Sequence, residues 1–271
     1  MLRKAAFLIV TLALVFSVSS CGTSQEKRPM TEAWYSALVW LKDNTPEPAP
    51  NDPETAYTVM SWWDYGDWIT SVANRTPVAK QTQEGATIAG TYLISQDETS
   101  ANQIMDELGA KYVVIDNLMA YNFIYPFVAW ASRNETYHYN INDFYEVYYV
   151  PTEGGALEPV RLLYPVYYNS IVVRLFNFDG QAVVPAANDT VVISYQERAD
   201  SKGNQYKAMT SWMPYPSYPE AEKFISEHPD GNYRIVGVDP TKSPVPLAKA
   251  EHYNLTYTAP GGTVKIFNYT K

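Results

Sequence analysis

The chain has 271 residues, of which 46% are hydrophobic and 18% charged, a globular composition with enough apolar mass for a substantial core. Its formal net charge of -9 becomes more negative once Arg3 and Lys4 of the N-terminal segment are set aside, which argues against nucleic acid as a partner. The lone cysteine, Cys21, excludes an internal disulfide framework, and His138, His228 and His252 lie too far apart in sequence to read as a metal set.

Arg3 and Lys4 precede an apolar run from Ala5 to Phe16 and small residues from Ser17 to Gly22, the layout of a targeting or anchoring segment. As a helix, Ala5 to Ser20 rises about 24 Å against a membrane core of about 30 Å, so a signal peptide fits better than a transmembrane helix, the alternative reading. Val18-Ser19-Ser20-Cys21 resembles a bacterial lipoprotein signal, which makes Cys21 the expected lipid anchor. The expected location is therefore membrane-anchored and extracytoplasmic, with residues 1–30 as anchor and tether.

Trp34, Leu38 and Leu41 then mark a helix, closed by Asn44-Thr45-Pro46 and a proline-rich loop through Pro53. Ala56 to Ser61 reads as a strand, Trp62 to Gly66 as a turn, and Asp67 to Ala73 as a helix with Asp64 or Asp67 near its start. Ser95 to Leu108 is an amphipathic helix ended by Gly109, and Lys111 to Ile115 a buried strand leading to a second strand-to-helix junction at Asp116. Aromatics crowd residues 121–168. From Ile171 onward the pattern changes to short β-rich runs, such as Ile171 to Phe178 and Thr190 to Tyr195, with one helix near Pro219 to Glu227. The fold expected is α+β: a mixed α/β core domain over residues 31–170, followed by a smaller β-rich domain over residues 171–271.

Ser61-Trp62-Trp63-Asp64-Tyr65-Gly66 sets a carboxylate among indole and phenol rings at the end of a strand. Such rings exclude water yet offer N–H and O–H groups, so Asp64 can make charge-assisted hydrogen bonds to an entering hydroxyl or amide. A site built around a hydroxyl rejects ligands that lack one, while a methyl adds only about 1–3 kcal/mol of discrimination. Threonine offers both groups. The competing reading makes the tryptophans core and Asp64 a helix cap.

At these residues the chain resembles the C-terminal extracytoplasmic domain of the catalytic subunit of archaeal asparagine-linked oligosaccharyltransferases. Trp-Trp-Asp-Tyr-Gly, the preceding Tyr57-Thr58-Val59-Met60-Ser61, the helix and turn from Trp34 to Pro46, and the runs Ile235 to Pro246 and Val264 to Asn268 carry the likeness. It implies that Trp62, Trp63 and Asp64 bind the hydroxyl of an Asn-X-Ser/Thr acceptor sequon, with Tyr65 and Gly66 shaping the turn. A second family motif fits at Asp116 and Met119, but Phe123 stands at its lysine position, and capping of the following helix is the alternative role for Asp116. Phe123 or Met119 could offer an apolar surface to the threonine methyl.

The family's reaction also needs a divalent metal (Mn or Mg), held by carboxylates between transmembrane helices, and a lipid-linked oligosaccharide. This sequence has one apolar segment and no Asp-X-Asp, so the resemblance implies no catalytic residue and no cofactor within it. Its expected partners are an acceptor polypeptide, the membrane and a separate multispan glycosyltransferase subunit. Five Asn-X-Thr triplets, at Asn74, Asn134, Asn188, Asn254 and Asn268, suit a surface exposed to glycosylation. The second functional reading, motivated by 23 tyrosines, is a membrane-anchored surface lipoprotein that binds glycans or protein without transferase activity.

Overall fold

A computed structural model describes residues 29–49, 55–134, 139–152 and 154–271. The expected anchor segment and Cys21 lie outside these residues. Among the described residues, no helix is long and apolar enough to cross a membrane.

The first helix, α1 (Glu32–Asn44), starts at Thr31, whose hydroxyl accepts from the Trp34 amide, and buries Trp34, Ala37, Leu38 and Leu41 on one stripe. Its C-terminal end is held by Arg75, a buried guanidinium that donates to the Lys42 and Thr45 carbonyls and to the Tyr57 and Thr45 hydroxyls. The free carbonyl of Lys42 is thereby satisfied by protein, and that of Leu41 by the Thr45 hydroxyl. Strand β1 (Thr58–Met60) then runs into a 3-10 turn at Trp63–Tyr65 and directly into α2 (Gly66–Ser71), followed by β2 (Thr76–Pro77). Helices α3 (Ala86–Leu93) and α4 (Glu98–Glu107) lead to β3 (Ala110–Asp116), α5 (Asn117–Tyr121) and α6 (Ile124–Ala131). At Gly90 a Cβ would stand 2.9 Å from the Phe127 carbonyl oxygen, so this glycine lets α3 lie close on α6.

The chain continues through β4 (Tyr145–Pro151), β5 (Leu157–Leu163), α7 (Pro165–Asn169) and α8 (Ile171–Phe178). After β6 (Thr190–Ala199), β7 (Gln205–Tyr215), α9 (Tyr218–Glu227) and β8 (Tyr233–Val236), the hairpin of β9 (Tyr253–Thr258) and β10 (Val264–Tyr269) ends the fold. The run from Ile171 to Phe178, expected as β-rich, is a helix. Its only polar positions are Arg174 and Asn177, and packing overrides the strand preference of its β-branched residues Ile171, Val172 and Val173.

The architecture is mixed α/β with two five-stranded sheets. The first has the order β2-β1-β3-β10-β9, with parallel pairing at β2, β1 and β3 and antiparallel pairing at β10 and β9. The second has the order β5-β4-β7-β6-β8, antiparallel except between β4 and β7. Sheet membership crosses residue 170 in both directions: β9 and β10 complete the first sheet, while β4 and β5 begin the second.

Candidate functional site

The Trp-Trp-Asp-Tyr-Gly segment sits where β1 leaves the first sheet. Trp62 keeps extended backbone angles (φ -70°, ψ 148°) before the chain tightens into the 3-10 turn at Trp63. Trp62 is 1% exposed and meets Phe127 of α6 edge-on, with ring centres 4.7 Å apart. Trp63 is 8% exposed, its ring 6.0 Å from that of Trp62. Its indole Nε1 is buried with no hydrogen-bond partner among the described residues, and so is the Ser61 hydroxyl. Two unsatisfied polar atoms within a three-residue stretch are costly, at about 1–3 kcal/mol each.

Asp64 follows as the acidic residue of the 3-10 turn and is partly exposed. The expectation that Asp64 or Asp67 lies near the start of the helix holds in sequence, but the cap position of α2 falls to Tyr65 and carries no side-chain cap. Gly66 is needed for close approach: a Cβ there would lie 2.3 Å from the Ala79 carbonyl oxygen and 2.8 Å from the Lys80 Cα.

Behind the turn, the second strand-to-helix junction supplies a buried carboxylate. Asp116, 3% exposed, caps α5 by accepting from the Met119 amide at 2.8 Å through Oδ1. Its Oδ2 accepts from the Tyr65 hydroxyl at 2.6 Å and the Trp34 indole Nε1 at 2.9 Å. The Trp34 and Tyr65 rings stack with centres 4.1 Å apart and planes 22° from parallel. The capping role foreseen for Asp116 is thus present, joined to two anchoring contacts that sequence spacing did not indicate.

Trp62, Trp63, Asp64, Tyr65 and Gly66 form one continuous turn, tied to Asp116 through the Tyr65 hydroxyl. The Met119 side chain is fully buried. Phe123 is half-buried at the start of α6, its ring perpendicular to that of Phe127 at 6.2 Å, so Phe127 bridges Phe123 and Trp62. A cavity of about 280 Å³ opens beside the turn between Trp34, Tyr65, Trp68, Asp116 and Thr263, and Trp68 also walls a shallower depression with Asp67, Ser71 and Lys80. Trp62, Trp63 and Asp64 line neither.

Among the described residues, no group of three or more His, Cys, Asp or Glu side chains could hold a metal ion.

Of the sequon asparagines, Asn74, Asn188 and Asn254 are exposed, while Asn134 and Asn268 are half-buried. Asn254 and Asn268 face each other across β9 and β10. Thr190, the hydroxyl residue of the Asn188 triplet, is fully buried and donates to the Pro244 carbonyl at 2.7 Å.

A family described as the AglB core domain matches residues 49–120, the stretch that holds the turn and Asp116. The chain is 25% identical over 315 residues to the dolichyl-monophosphooligosaccharide–protein glycotransferase AglB of Haloferax volcanii, covering 98% of this chain and 29% of that protein. The fold is similar to that of the Archaeoglobus fulgidus oligosaccharyltransferase in complex with Zn and sulfate, with a TM-score of 0.50 and 21% identity over 89% of this chain and 35% of that one. The C-terminal globular domain of an oligosaccharyltransferase from the same organism superposes with a TM-score of 0.46 and 19% identity, covering 90% of this chain and 100% of that one.

The class is thus a mixed α/β globular domain that is similar over nearly all of its length to a protein glycotransferase. More particularly, the chain resembles the C-terminal domain of the archaeal type, as its motif indicated. It spans less than a third of the length of the curated relatives it matches.

Proposed function

We propose that this chain recognises the acceptor sequon Asn-X-Ser/Thr for protein N-glycosylation, with Trp62, Trp63 and Asp64 gripping the hydroxyl of the third residue. The observation that carries this reading is the buried, unpartnered Nε1 of Trp63, one position before the partly exposed residue Asp64. One group donates and the other accepts, which is what a hydroxyl needs from its site. Similarity to protein glycotransferases over the stretch that contains the turn supports the same reading.

In this role the chain binds and orients the acceptor, and glycosyl transfer belongs to a multispan membrane partner that supplies the metal and the lipid-linked donor. The N-terminal segment would hold the domain at the extracytoplasmic membrane face, through Cys21 if that residue is lipidated.

The test is peptide affinity measured by calorimetry. The unmodified chain is expected to bind an Asn-X-Thr peptide at least tenfold more tightly than its Asn-X-Ala counterpart, about 1.4 kcal/mol. Asp64→Ala should remove the difference. Equal affinities for both peptides in the unmodified chain would refute the role.

A further inference from the structure

The 3-10 turn that presents Asp64 is three residues long and has little stability of its own, since such turns have poor hydrogen-bond geometry. One side-chain anchor sits on its last residue. Tyr65 is fixed at both ends, by the stacked Trp34 ring against its face and by the Asp116 carboxylate at its hydroxyl. Trp34 takes part in both contacts, because its indole N–H donates to the same Oδ2 that Tyr65 uses. That oxygen is therefore a three-way junction between α1, the turn and the end of β3.

We propose that Trp34 is a positioning residue for the hydroxyl-binding turn, acting through Asp116 and Tyr65 to set where the adjacent Asp64 stands. The role rests on the reading of the turn as a sequon site. Trp34 itself need not touch the acceptor: its indole orients the carboxylate and covers the Tyr65 ring, and both hold the backbone that carries Asp64. A buried carboxylate oxygen that loses one of two donors recruits the other differently, so the Tyr65 hydroxyl moves and the turn moves with it.

The test uses Trp34→Phe, which keeps a ring against Tyr65 and removes the N–H donor. Affinities of the full-length chain for Asn-X-Thr and Asn-X-Ala peptides are compared with those of Tyr57→Phe, a control that removes hydrogen bonds to Arg75 and Pro46 away from the turn. Trp34→Phe is expected to weaken Asn-X-Thr binding at least about fivefold and leave Asn-X-Ala binding unchanged. Tyr57→Phe should retain full discrimination at a comparable loss of thermal midpoint. Asp116→Asn should also narrow discrimination, and adding Trp34→Phe to it should cost nothing further, because the two act through one contact.

Unchanged discrimination in Trp34→Phe, equal narrowing in Tyr57→Phe, or additive losses in the double variant would each overturn this role alone. An unmodified chain that does not discriminate overturns the sequon reading, and this role with it.

Discussion

Gly66 and Trp63 bear most directly on whether the turn can work. Gly66 has an ordinary helical φ of -57°, so its importance is steric: the passing backbone at Ala79 and Lys80 occupies the space a side chain would need. Gly66→Ala must push backbone against backbone, at a cost expected to be about 1–3 kcal/mol. Urea denaturation should register that loss, and hydroxyl discrimination should fall with it; a variant of unchanged stability would contradict the close approach. The sequence made the residue types of this turn legible because indole, carboxylate and glycine are unusual neighbours at a strand end. It did not disclose the orphaned Ser61 hydroxyl, since whether a serine finds a partner depends on residues distant in the chain.

Among elements, those with a clean period or a strong cap were legible: α1 from Trp34, Leu38 and Leu41, α4 from Ile104, Met105 and its Gly109 stop, and β3 from its apolar run. Helix α8 was not, because its opening run of β-branched residues reads as a strand and its eight residues carry only two polar positions, Arg174 and Asn177. The junction formed by Trp34, Tyr65 and Asp116 was equally hidden, since it joins residues 82 positions apart.

Between elements of the second sheet, Glu146 of β4 meets Lys207 of β7, with Nζ to Oε1 at 2.6 Å, and accepts from the Tyr164 hydroxyl at 2.7 Å. Burial opposes ionisation of this carboxyl, but hydrogen bonds from Lys207 and Tyr164 outweigh it and hold the group below its ordinary range. With the folded value the lower one, the contribution is complete above the unfolded carboxyl's pKa of about 4.3 and is lost as pH falls through the folded value. Glu146→Gln should therefore lose less of its urea midpoint between pH 7 and pH 3 than the unmodified chain. Equal losses would show that this carboxyl does not titrate as described.

At the scale of the molecule, the two sheets exchange strands across residue 170, so neither half of the chain holds a complete sheet. A fragment ending at residue 170 would leave β3 without β10 and β4 without β7. It should show no cooperative thermal transition, whereas the full chain should; an independently folding fragment would establish the boundary that the change in sequence pattern suggested.

The same scale bears on the Asn-X-Thr triplets. A recognition site that reads the threonine hydroxyl cannot reach Thr190 in the folded chain, so modification of Asn188 would have to precede folding.

The central claim is that an incoming side-chain hydroxyl pairs with the Trp63 indole and the Asp64 carboxylate. Following the indole N–H resonance of Trp63 in isotope-labelled protein, assigned with Trp63→Phe, tests it most directly. Titration with an Asn-X-Thr peptide should shift that resonance downfield as the donor gains an acceptor, while an Asn-X-Ala peptide at equal occupancy leaves it in place. A resonance that stays still with both peptides, or moves equally with both, would contradict the claim.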